Sequence, residues 1–157
     1  MSFDLGVWHS EARLTDKQAG ALYLQLCQNW PYFQGEHPSV AAFYQELTRR
    51  WPEIDSIPAD RIGDLDDCPW SCAISHSEIA VVMSCVWPKA DEVAAFVRDL
   101  AQRHGLVLFD PQADRVYLPP DDKHPDPAPQ KSGAQGFFER LFGRPLRTMT
   151  DLLMTDL

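Results

Sequence analysis

The sequence has none of the short motifs that announce a common chemistry. It carries no Gly-x-Gly-x-x-Gly or Walker-type phosphate loop, no nucleophile elbow and no His-Glu-x-x-His. It also lacks a calcium loop; the nearest approach, Asp64-Leu65-Asp66-Asp67, has neither the alternating spacing nor the closing glutamate. Positive charge is scarce: 14 Lys and Arg stand against 23 Asp and Glu, a formal net charge of −9. That balance argues against nucleic acid, whose phosphates reward Lys/Arg clusters, and against an anionic membrane surface. No apolar run approaches the roughly 18–20 residues needed to span a bilayer. The opening MSFDLGVWHSEARL has no basic n-region, apolar h-region or small-residue cleavage site, so no secretory signal is expected and the cytoplasm is the default compartment.

The cysteines fit a reducing compartment. Cys27, Cys68, Cys72 and Cys85 each sit in or beside an apolar or strand-like stretch, and Cys-Pro-Trp-Ser-Cys (68–72) has the wrong spacing for a redox or zinc-ribbon pair. No metal or cofactor is expected. The five histidines are scattered: His104 suits the dipole at a helix C-terminus, and His76 falls in an expected hairpin turn, exposed rather than catalytic.

What is present is the pattern of a globular α+β chain, with 157 residues, 45% hydrophobic and 11% aromatic. Phe3, Leu5 and Val7 alternate with Asp4, Gly6 and Trp8, as in a half-buried strand. Thr15-Asp-Lys-Gln18 is a capping box opening a helix whose stripe is Ala19, Leu22, Tyr23 and Leu26, stopped at Asn29-Trp30-Pro31. A second helix follows Pro38-Ser39, with Val40, Phe43, Tyr44 and Leu47 inward, and ends before Trp51-Pro52. Residues 71–87 predict a hairpin with a His-Ser-Glu turn, and residues 89–104 a helix with Val93, Phe96, Val97 and Leu100 on one face and Gly105 at C′. Strands are expected over 106–110 and 115–119.

The order β-α-α-β-β-α-β(β) predicts an α+β fold: an antiparallel sheet with helices on one face, a ferredoxin-like (split βαβ) sandwich with an inserted helical hairpin. That domain covers residues 1–119. A Pro-rich linker, 120–136, leads to a short hydrophobic helical tail, 137–157, with three basic and three acidic residues. The tail offers a site for folding back, for docking on a partner, for self-association or for touching a membrane, though its charges are not those of an interfacial anchor.

Residues 52–69 are predicted to form a long loop, and loops of that length are often functional. Residues 51–67 hold six carboxylates against Arg61 alone, five of the nine net negative charges. Three readings are open. The loop is a solvated surface; or its carboxylates converge with His or Cys on a metal; or it is a docking surface, with Asp60, Asp64, Asp66 and Asp67 as electrostatic contacts and Trp70 as an aromatic anchor. Trp30, Trp51 and Trp87, each before a proline, suit half-buried packing. A nucleophile triad can be drawn from Cys68 or Cys72 with His76 and an aspartate, as it can in most small proteins.

MSFDLGVW, AAFYQELTRRWP and DEVAAFVRDLAQRHGLVLFDPQADRVY together resemble a group of small bacterial proteins that open Met-Ser-[Phe/Tyr]-Asp-Leu-x-Val-Trp and close on Gly-Leu-x-x-[Phe/Tyr]-Asp-Pro-Gln. The resemblance covers residues 1–119. It implies a toxin-immunity protein: cytosolic, without catalytic residues, binding and blocking a secreted antibacterial toxin. The acidic loop then leads us to expect a toxin basic around its substrate site. The alternative is an adaptor or secretion chaperone that binds through the hydrophobic tail.

Overall fold

The computed structural model describes residues 1–28 and 37–120, all within one unit, Met1–Lys123. The expected stop at Asn29-Trp30-Pro31, most of the linker, His124 and the tail 137–157 lie outside the described residues. Five strands form one sheet: β1 (Ser2–Trp8), β2 (Ser75–His76), β3 (Ala80–Val86), β4 (Val107–Asp110) and β5 (Arg115–Tyr117). Their order is β2-β3-β1-β4-β5, and every neighbouring pair is antiparallel. Three α-helices complete the fold, α1 (Asp16–Gln28), α2 (Pro38–Arg50) and α3 (Ala90–Arg103).

Local signals set the helix ends. At α1 the capping box closes both ways: the Thr15 amide donates to Gln18 Oε1 at 3.0 Å, and the Gln18 amide to Thr15 Oγ1 at 3.3 Å. At α3 the Leu106 amide reaches Ala101 O at 2.9 Å and the Gly105 amide Gln102 O at 3.2 Å, a Schellman stop. It needs a left-handed residue, and Gly105 supplies φ +65°.

Alternation then decides layering. Phe3, Leu5 and Val7 face Cys85, Met83 and Val81 across the β1–β3 ladder, and these share one core with Val40, Phe43 and Leu47 of α2 and Val93, Val97 and Leu100 of α3. The other side of β1 is also closed. Trp8 is 1% exposed, and Gly6 lies so close to α1 that a Cβ there would stand 2.7 Å from the Tyr23 ring. Phe109, the β4 partner of Gly6, packs on Tyr23 with ring centroids 5.6 Å apart. The expectation of helices on one face is therefore corrected: α2 and α3 cover one face and α1 the other. The alternation predicts a half-buried strand, yet on this second side Gly6 and Trp8 are buried and Asp4 is partly buried.

The hairpin over 71–87 also differs from expectation. His76 belongs to β2, and the turn is Ser77–Ile79, closed by Ser77 N to Ala80 O at 2.8 Å. Trp87 leaves the strand for a short 3₁₀ turn, Trp87–Lys89.

Helices α2 and α3 are tied at one end by Glu46, whose carboxylate accepts from His104 Nε2 at 2.9 Å and Arg103 Nη1 at 3.0 Å. These hydrogen bonds, His104 first and then Arg103, hold the Glu46 carboxyl below its ordinary value. A depressed carboxyl stabilises the fold above its unfolded value and loses that contribution as pH falls through the folded one.

Two outcomes are expected. Gly6→Ala costs about 1–3 kcal/mol in denaturant titration, and its loss is less than additive with Tyr23→Leu, because the clash is with that ring. Glu46→Gln flattens the acid limb of the stability curve below the ordinary value of 4.5, and curves that stay parallel to the wild type there would show the tie contributes nothing.

Candidate functional site: an acidic loop pinned to the core

The loop after α2 is fixed at both ends by tryptophan. Trp51 and Trp70 meet edge to face, ring centroids 6.0 Å apart at 85°, and both are buried. The Trp70 indole Nε1 donates to Pro52 O at 3.1 Å and to Trp51 O at 3.4 Å, so the start and end of the loop are joined through one side chain. Phe96 of α3 packs on Trp51 at 5.1 Å, and Arg50 lies 4.5 Å over the same ring. Trp70 is thus corrected: at 3% exposure it is not a surface anchor but the inner support of the loop. Its indole N–H is shared between the two carbonyls at the start of the loop.

Glu53 adds a second fastening. Its Oε1 accepts from Tyr44 OH at 2.6 Å and its Oε2 from the Ile74 amide at 3.2 Å, joining α2, the loop and the approach to β2. Burial and then this hydrogen bond push the Tyr44 hydroxyl up to about 12.

Between these fixings the chain runs through successive turns. Arg61 N reaches Pro58 O at 2.8 Å, Asp64 N reaches Arg61 O at 3.0 Å, and Cys68 N reaches Asp64 O at 2.9 Å. Asp64 Oδ1 accepts from the Asp66 amide at 3.0 Å, an Asx turn that holds the tip. The carboxylates then separate by role. Asp67 pairs with Arg61 inside the loop, and Asp66 pairs with Lys89, which also holds Glu92 at 2.8 Å. The Lys89 hydrogen bond holds the Asp66 carboxyl below its ordinary value. Asp55, Asp60 and Asp64 are exposed and make no ion pair among the described residues. Asp60 and Asp64 flank Ile62, which is 40% exposed. Beside them lies a shallow cleft of about 170 Å³, lined by Pro52, Ser56, Ile57, Pro58, Arg61 and Asp67.

The aromatic that reaches solvent beside this loop is Trp87, 49% exposed, its ring edge-on to Phe3 at 5.4 Å. It stands two residues before Lys89, the partner of Asp66. Half-buried packing, expected for the tryptophans before prolines, holds at Trp87, whereas Trp51 is fully buried. Both precede a proline at the end of an element, Trp87 after β3 and Trp51 after α2.

The chemical readings of the loop are narrower in three dimensions. Among the described residues no three His, Cys, Asp or Glu side chains gather as a metal site. Cys68 is 1% exposed and packed in the core, which denies it to a substrate. Cys72 is exposed; His76 is exposed too and stacks on Tyr44, centroids 3.9 Å apart at 15°. Burial, and then Asp4, push the Cys85 thiol up to about 11. No helix of the described residues is long and apolar enough to cross a membrane. No family model, curated protein or solved structure matches the chain.

A thiol count checks this geometry. A disulfide reagent at neutral pH should titrate Cys27 and Cys72 in the native protein, and Cys68 and Cys85 only after unfolding. Rapid native labelling of Cys68 would contradict the buried assignment.

Proposed function

We propose that the chain is a non-enzymatic binding protein of the toxin-immunity kind, acting in the cytoplasm by covering the substrate site of a basic toxin domain. One observation carries the reading: a carboxylate-rich surface is held by two buried tryptophans rather than left as free chain. A surface ordered before binding loses little conformational entropy on association. Its uncompensated carboxylates steer a positive partner, raising association rates by orders of magnitude at low salt. Asp60 and Asp64 are the outward contacts, with Ile62 between them. Asp66 and Asp67 contribute field while serving the loop's own pairs with Lys89 and Arg61. Trp87, exposed where Trp70 is buried, serves as the aromatic anchor.

The resemblance of residues 1–119 to immunity proteins supports the same reading. The finer fold assignment belongs with it. Stripped of α1 and β5, the chain runs β1-α2-β2-β3-α3-β4 with strand order β2-β3-β1-β4, which supports a split βαβ scaffold.

The test is capture of partners from native cells at low salt and at roughly 0.5 M salt, where exposed electrostatic contacts are screened. The captured protein is then assayed for toxicity, with and without this chain co-expressed. A stoichiometric basic partner, held less tightly at high salt and neutralised by co-expression, is expected. Asp55→Lys with Asp60→Lys should slow association about ten-fold or more at low salt. The same pair should shift stability by no more than about 0.5 kcal/mol, since neither residue makes an ion pair among the described residues. Unchanged association by that variant would sink the electrostatic assignment, and a non-toxic partner would sink the immunity reading.

A further inference from the structure

The first turn of a helix presents amide donors that need acceptors, and Ser, Thr, Asp or Asn normally supplies one. Helix α2 uses a histidine. His37 is extended (φ −134°, ψ 118°), and its Nδ1 accepts from the Ser39 amide at 3.3 Å. Pro38 has no N–H, so Ser39 is the first donor of the helix, and His37 can cap it only with Nδ1 unprotonated. The His37 amide itself donates to Glu78 O at 2.9 Å, tying the start of α2 to the β2–β3 turn. Face to face with this ring lies that of His9, just past β1, with centroids 3.6 Å apart and planes at 11°.

We infer that His9 and His37 form a proton-operated latch: neutral and stacked, they fix the first turn of α2 to the β1 exit and the β2–β3 turn, and mild acid releases it. A proton on His37 must go to Nδ1, which turns the capping acceptor into a donor facing a donor. It also places positive charge at the positive end of the helix, and against a second imidazole. Helix α2 has no carboxylate in its first turn to offset that charge. Charged groups that meet the pair are Glu11, which acts on His9, and Glu78, whose carbonyl accepts from the His37 amide; Arg13 follows on the His9 segment in sequence, and Glu36, which precedes His37, lies outside the described residues. His9 is held below its ordinary value by burial and then by His37, with Glu11 acting the other way. A base so shifted stabilises the fold above its unfolded value, near 6.5, and that contribution is lost as pH falls through the folded one.

The experiment is an NMR titration of the full chain from pH 8 to pH 5, following histidine side chains and amide protection factors of Ser39 and Val40. Protection at Ser39 should fall roughly three- to thirty-fold, the range for a lost cap, in step with imidazole protonation. His37→Asn, a cap that does not titrate, should keep the helix, remove the pH dependence of Ser39 protection and bring His9 closer to its ordinary value. Ser39 protection that is flat with pH in the wild type overturns the latch. So does a pH dependence that survives His37→Asn, or one removed instead by Glu36→Gln.

Discussion

The fold depends on β1 being closed on both faces. One side of the strand meets the shared core of α2 and α3, and the other, which carries Trp8, meets Phe109 and the Tyr23 ring of α1. Glycine at position 6 makes this possible, because the ring occupies the space where a side chain would stand. With its central strand sealed, the sheet can carry short edges. β2 has two residues and β5 three, and the outward amide of Val116 is occupied by Asp16 Oδ1 at 2.7 Å. That contact blunts an edge that could otherwise pair with another chain.

The acidic loop inherits its order from the same core. Trp51 and Trp70 are core residues that bracket the eighteen residues 52–69, and the carboxylates between them are displayed because their supports are buried. This division assigns separate work to residues that look alike in one dimension. Two of the aspartates hold cations of the chain itself, Asp64 organises the tip through its own side chain, and Asp60 faces water. A charge pattern read from sequence therefore overstates how many groups are free to meet a partner, though it locates the field correctly.

Histidine is used at two joints around α2, with different physics. At the N-terminus two imidazoles stack and one caps the helix, an arrangement that requires neutrality. Further along, His76 stacks on the Tyr44 ring, whose hydroxyl is held by Glu53. Neither pairing joins residues close in sequence, so no spacing rule would have proposed it.

What the sequence by itself determined is local. The Thr15–Gln18 box, the Gly105 stop, the apolar stripes of the helices and the alternation of β1 act over a few residues and are present in the structure at or within a residue or two of the expected positions. An α+β chain with an antiparallel sheet followed from their order. Tertiary structure alone decided which face α1 would cover, that Trp70 would point inward and Trp87 outward, and which aspartates would be neutralised. Those outcomes depend on groups tens of residues apart competing for the same buried volume or the same cation. Tryptophan before a segment of turns has the same local signature whether it ends up buried or exposed. Only the assembled core, with Phe96 and the loop carbonyls around one indole pair and open solvent beside Trp87, distinguishes the two.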